Sequence, residues 1–331
     1  MRVYVTGGTG FVGSNVVKVM TERHSDEVFC PVHAWRPAEP AAFGWAPVDL
    51  GDEEAIRRSV RAFRPDAIVH CAILNDFLGL YADRRRAWDA YVGATGRLAA
   101  AANEVGAKLV LVSTDWVFDG TQAPASEETP PNPINLYGFL KAASELVALE
   151  RADDAAVARV SGVNGTHWAR PDLPRSQDAG FGYFVASIVD ALSRSRTFTV
   201  WESHAINTRA TPSLASDSAE RIRRIIERGL RGIFHCCGGE SSTRTGLAHL
   251  TADVFDLDPG LLRTGPPDPS LTLPAPIPYD TSLSSDATAA ALGLEPTPLR
   301  ELLAQFRDER ETLDLSPRLG AGHKVATKGS P

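Results

Sequence analysis

Cysteine is scarce: the 331 residues hold four, at Cys30, Cys71, Cys236 and Cys237. Their spacing matches no zinc-ligand pattern, and the neighbours Cys236 and Cys237 are poorly placed to bridge to each other. Reduced thiols and no metal site are expected. Positive charge is also short, the net charge being -7. Nucleic-acid affinity rests on clustered Lys and Arg, so a general phosphate-backbone binder is excluded. The run Arg84-Arg85-Arg86 falls on a predicted helix and reads as a solvated face. No apolar stretch approaches the ~18 residues that span a bilayer. The N-terminus enters a strand at once, without the charged and apolar regions of a cleavable leader. A cytoplasmic protein with no membrane contact is expected.

What is present is an ordinary globular composition, 43% hydrophobic and 23% charged. The length suits one large α/β domain with a smaller lobe. Short β-branched runs at Val3-Tyr4-Val5, 27–32, 67–70, 108–112 and 156–160 predict strands. They alternate with helical patterns over 11–23, 52–63, 84–105 and 137–151. Strands apolar throughout imply a sheet covered on both faces, and the alternation predicts a doubly wound parallel sheet of Rossmann type. Further on, the pattern predicts helices over 181–194 and 214–228 and strands at 198–201 and 232–236. A Pro- and Gly-rich segment, 164–180, is too long for a simple connector. The proline-rich stretch 265–278 predicts an ordered surface excursion. The expected division is a nucleotide-binding core over 1–160, a C-terminal substrate-binding lobe with returning core elements over 161–310, and a flexible tail over 311–331.

Thr6-Gly7-Gly8-Thr9-Gly10-Phe11-Val12-Gly13 links the first strand to the first helix. Gly7, Gly10 and Gly13 let the backbone turn and approach a pyrophosphate. The helix start at Phe11 and Val12 supplies free N–H groups and positive potential. An NAD site usually carries an acidic residue at the end of the second strand. Here the chain reads Val32-His33-Ala34-Trp35-Arg36. Arg36 suits the 2′-phosphate of NADP(H), which is favoured over NAD(H). Asp49 and Leu50 after the third strand would face the adenine, and Cys71 and Ala72 the cofactor end of the fourth.

Tyr137 and Lys141 stand four apart, hence on one helical face. A nearby ammonium and a helix N-terminus both favour the phenolate, which makes Tyr137 a candidate proton donor to a carbonyl receiving hydride. Ser113-Thr114-Asp115-Trp116 ends the fifth strand, where open α/β sheets place ligands, and Thr114 can bond the same substrate oxygen. Ser113, Asp115, Trp116, Asn207 and Arg209 are candidate substrate contacts; for Arg209 a surface role weighs equally.

Together the glycine fingerprint, Ser113-Thr114-Asp115 and Tyr137-x-x-x-Lys141 resemble the extended short-chain dehydrogenase/reductases. Within them, the stretch 113–120 is most similar to the dTDP-4-dehydrorhamnose reductases. The likeness continues through Asn135-Leu136-Tyr137-Gly138, Ala210-Thr211-Pro212 and Ala291-Leu292-Gly293-Leu294. The resemblance implies a catalytic triad of Thr114, Tyr137 and Lys141, with Lys141 also on the nicotinamide ribose. It implies reduction of a 4-keto group on a nucleotide-linked deoxysugar. Tyr91 replaces the family's relay Asn, and Trp116 replaces its Tyr. A 4,6-dehydratase is disfavoured, because Trp116 stands where a Glu base is needed. An epimerase with retained NAD, and a catalytically idle regulatory protein on the same scaffold, remain as alternatives; homodimerisation stays open.

Overall fold

The computed structural model describes residues 1–33, 35–37, 41–170 and 176–312. Seven strands form the main sheet: β1 (Arg2–Thr6), β2 (Glu27–Val32), β3 (Gly44–Pro47), β4 (Ala67–His70), β5 (Lys108–Thr114), β6 (Ala155–Val160) and, much later in the chain, Gly232–His235. Their order is that last strand, then β6, β5, β4, β1, β2 and β3. Every pairing is parallel. The order reverses between β1 and β4, the crevice where doubly wound sheets bind ligands.

Both faces are covered, as the uninterrupted apolar strands required. On β1, Val3 and Val5 join a cluster with Val16, Met20, Ile222 and Ile225, whereas Tyr4 between them packs with Ile56, Ile68 and Leu98 on the other face. The period of two thus feeds two separate cores.

Several helices differ from the spacing's prediction. The predicted helix 11–23 is α1 (Phe11–Lys18) followed by a wider turn over Val19–Arg23. The predicted helix 84–105 divides into α4 (Arg84–Trp88), a wide turn over Asp89–Gly93, and α5 (Ala94–Val105), after a short α3 (Phe77–Ala82). Such wide turns insert one residue into the helical repeat; here the insertion turns Tyr91 inward, 2% exposed. The helix preceding them, α2, spans Glu53–Phe63 and is capped by Asp52. Helix α6 (Leu136–Arg151) starts at a buried Asn135, whose side chain accepts from the Gly138 N–H at 2.9 Å.

The C-terminal lobe packs α7 (Phe184–Leu192) with helices Arg244–Val254 and Leu299–Glu311 over its own apolar cluster. The helix Ala215–Glu227 instead returns to the sheet and packs on α1. The predicted strand Phe198–Trp201 pairs with Leu262–Gly265 outside the main sheet. Predicted helix 181–194 starts only at Phe184, because Tyr183 sits at φ +56°, outside the right-handed helical region. The stretch 266–279 does more than cross the surface: Leu271, Leu273 and Ile277 turn inward and wall the cleft. The tail 313–331 and residues 171–175 of the Pro/Gly-rich segment lie outside the described residues.

Candidate active site

A cleft of about 650 Å³ opens along the C-terminal ends of β1, β4 and β5. At one end lies the glycine loop. Gly7 has φ +68°, and a Cβ there would come within 3 Å of the Ala72 backbone. A Cβ on Gly13 would strike the Gly7 carbonyl. The loop closes on itself through Gly10 N–H to Gly7 O at 2.8 Å. Bare backbone is therefore packed under the start of α1, and Gly10, Phe11 and Val12 face the cleft. This surface, rich in backbone N–H groups and at a positive helix end, fits the pyrophosphate of a dinucleotide.

The opposite end holds the chemistry. Thr114, Tyr137 and Lys141 all line the cleft. The Thr114 hydroxyl, which donates to Asp115 at 3.0 Å, and the Tyr137 phenol share the same stretch of cleft wall. Lys141 Nζ donates to the Val112 carbonyl at 2.6 Å and lies 5.8 Å from the Tyr91 ring centroid. Burial pushes the Tyr137 phenol up to about 12; the neighbouring Thr114 hydroxyl opposes that rise and Asp115 adds to it. The expectation that the ammonium and helix end would favour the phenolate is thus reversed: desolvation outweighs them and the phenol keeps its proton. Burial also draws the Lys141 ammonium down to about 8, against the pull of Cys71 and Glu145.

Other expected site residues divide by position. Cys71, Ala72, Ser113, Asp115 and Trp116 are in the cleft wall. The Ser113 hydroxyl is turned to Glu145 at 2.5 Å. Asp115 is 3% exposed and accepts from Thr114 at 3.0 Å, Ser161 at 2.8 Å and Thr281 at 2.5 Å. It braces Thr114 from behind, and burial holds its carboxyl above the usual range.

Five are not in the wall: Arg36, Asp49, Leu50, Asn207 and Arg209. Arg36 is exposed beside Trp35, which does line the cleft. Asp49 caps the Gly51 N–H at 2.8 Å, and the Leu50 carbonyl takes Arg97 Nε at 2.7 Å. Asn207 spends its amide on the carbonyls of Arg209, Pro278 and Tyr279, each at 3.1 Å. Arg209 bonds Ser241 at 2.8 Å on the surface. These last two knit the lobe to the 278–281 segment.

Tyr91 is no relay amide. Its hydroxyl donates to the Leu74 carbonyl at 2.9 Å, and its ring stands edge-on to Tyr137 at 6.2 Å. The spacing arguments also missed Arg170, whose guanidinium sits 5.0 Å over the Trp35 ring, and Tyr183, stacked on Phe11 at 4.5 Å. Both come from distant chain segments, and no local pattern announces them.

The parallel seven-stranded sheet, the glycine loop and the Thr114/Tyr137/Lys141 cluster define an NAD(P)-dependent oxidoreductase of the extended short-chain dehydrogenase/reductase type. Residues 1–311 match the model of the RmlD substrate binding domain, and the chain belongs to that family. Methionine adenosyltransferase 2 subunit beta from Rattus norvegicus is 31% identical over 79% of this chain and 74% of its own length. A dTDP-4-keto-6-deoxy-D-glucose reductase from Streptomyces niveus is 28% identical over 81% of this chain and 83% of its own. The crystal structure of a hypothetical dTDP-4-dehydrorhamnose reductase from Sulfolobus tokodaii superposes with a TM-score of 0.72 at 27% identity, covering 90% of this chain and 97% of that one.

Proposed function

We propose that the protein reduces a ketone with NADPH, and that the ketone is a nucleotide-linked 4-keto-6-deoxysugar. The observation that carries the chemistry is that Thr114, Tyr137 and Lys141 line one cleft with the glycine loop, Lys141 one helical turn beyond Tyr137. The bound cofactor would supply hydride to the carbonyl carbon. Tyr137, a neutral phenol, gives its proton to the carbonyl oxygen, while Thr114 bonds the same oxygen and orients it. The Lys141 ammonium then stabilises the phenolate that is left. Phe11, Val12 and the glycines would hold the pyrophosphate, and Lys141 the nicotinamide ribose. NADPH is favoured over NADH because Arg36, not a carboxylate, follows β2. The sugar assignment rests on the family and on the Streptomyces relative. A cytoplasmic setting suits the four free cysteines.

The rat relative favours a second reading, in which the same fold binds the dinucleotide as a regulatory subunit without turnover. One experiment separates the two. NADPH oxidation is followed with a panel of nucleotide-linked 4-ketosugars, with Tyr137→Phe run beside the parent. Turnover that falls about 10²–10⁴-fold in the variant, with NADPH binding kept, supports the reductase. Tight NADPH binding with no turnover of any ketosugar supports the regulatory reading.

A further inference from the structure

Behind the catalytic cluster lies a buried charge network that this chemistry does not touch. Glu145 stands one turn beyond Lys141 on α6 and is 3% exposed. Arg159, from β6 and wholly buried, grips it twice: Nε to Oε1 at 2.9 Å and Nη2 to Oε2 at 2.7 Å. Ser113 donates to Oε1 at 2.5 Å. On the far side, His235 Nε2 lies 3.4 Å from Arg159 Nη1, and its Nδ1 is bonded to the Ser284 carbonyl at 2.7 Å. Glu127 approaches that imidazole at 4.0 Å. Burying such a pair costs several kcal/mol per ion, and apolar side chains of like volume often serve stability as well or better. Stability alone therefore gives no reason for the anion to sit there.

Lys141 supplies one. Its Nζ rests on the Val112 carbonyl, and Glu145, one turn on, is held by Ser113, the next residue of β5. The other groups beside it are His70 and Cys71 at the end of β4 and the Tyr91 ring, with Tyr137 one turn before it on α6. At neutral pH, burial keeps His70 neutral and leaves Cys71, Tyr91 and Tyr137 protonated. Among these described residues Glu145 alone is negative, its charge fixed by the Arg159 pair. We propose that Glu145, clamped by Arg159 and Ser113, is a positioning residue: it is the counter-charge that keeps Lys141 cationic and seated on the Val112 carbonyl. It acts on Tyr137 and on the cofactor only through Lys141. The proposal rests on the ketone-reduction reading for its consequence in turnover, but not for its effect on cofactor binding.

The test uses the full chain carrying either Glu145→Gln, or Glu145→Leu together with Arg159→Leu. NADPH affinity is measured by fluorescence between pH 7 and 10, alongside the alkaline limb of turnover. In the parent both should weaken as Lys141 loses its proton near pH 8. Glu145→Gln should move that midpoint down by about one pH unit, the size of a typical single-charge effect, and the Leu pair, which removes an anion and a cation together, should move it down by less. Where Gln leaves Arg159 unpaired and the chain does not fold, the Leu pair decides. A folded variant whose midpoint stays within about 0.2 pH of the parent overturns the proposal. Failure of the Leu pair to fold assigns the cluster to stability and overturns it equally. NADPH binding without turnover in the parent refutes the reductase reading, while the binding midpoint still tests Glu145.

Discussion

The Trp116 indole meets the Tyr137 ring edge-on, with centroids 5.9 Å apart and planes at 79°. Its other edge contact is Phe77 at 6.0 Å, and Leu271 and Leu273 complete the same apolar cluster. Trp116 therefore sets the width of the cleft next to the reacting phenol, away from the glycine loop. Trp116→Ala should raise KM for the ketone about tenfold, the scale of a lost aromatic contact. NADPH affinity should stay within about threefold. An equal loss for NADPH would place Trp116 on the cofactor side instead.

Lys141 is a buried ammonium that costs stability. Its ammonium ordinarily titrates at 10.5 and is drawn by burial to about 8 in the fold. A cation with a depressed folded pKa contributes stability that is present above 10.5 and lost as pH falls through 8. At pH 7 the buried charge is consequently a burden on the order of 3 kcal/mol. Lys141→Met should raise stability toward urea at pH 7, and the gain should shrink by pH 10, while turnover collapses. A variant less stable than the parent at pH 7 would mean that the bond to the Val112 carbonyl outweighs desolvation.

How much of this was legible beforehand follows from the range of each interaction. Thr114, Tyr137, Lys141 and the loop Gly7–Gly13 were readable because each lies at a strand end or on one helical face, where local spacing dictates direction. The sheet was readable for the same reason. That Asn207 would stand outside the cleft wall was not legible, because nothing in the sequence says that segment 278–281 would take up its amide. The direction in which the Tyr137 phenol is shifted was missed because its burial depends on Trp116 and Tyr91, contacts made by chain segments far apart. Glu145 was overlooked since its partner Arg159 comes from the next strand, 14 residues away.

Arg36 tests the cofactor preference. It is exposed, follows a strand end without a carboxylate, and adjoins Trp35 in the cleft wall. A guanidinium on a 2′-phosphate contributes a charge-assisted bond of about 1.5–3 kcal/mol. Arg36→Ala should then weaken NADPH by roughly tenfold or more and leave NADH unchanged. If both affinities hold, the discrimination lies with Arg170, stacked 5.0 Å over Trp35, and Arg170→Ala becomes the informative substitution.

Gly138 joins the two halves of the catalytic pair. A Cβ there would run into the Trp116 carbonyl and reach 3.0 Å from Pro133 Cβ. The obstacle is backbone, so no side-chain rotation relieves it. The turn Asp115–Val117 and the first turn of α6 are thus held at a separation that only glycine permits, and both Thr114 and Tyr137 line the cleft beside it. Gly138→Ala should cost about 2–3 kcal/mol, as overpacking does, and lower the Tm by roughly 3–4 °C for a chain of this size. Its kcat should fall at least about tenfold with NADPH binding retained, because the donor pair is pried apart rather than the glycine loop. Gly106→Ala supplies the contrast: φ is +68° there, but no atom lies within 4 Å of the added Cβ. It should cost about 1 kcal/mol of backbone strain and leave kcat alone. If the two variants behaved alike, the close approach at Gly138 would have no part in assembling the site.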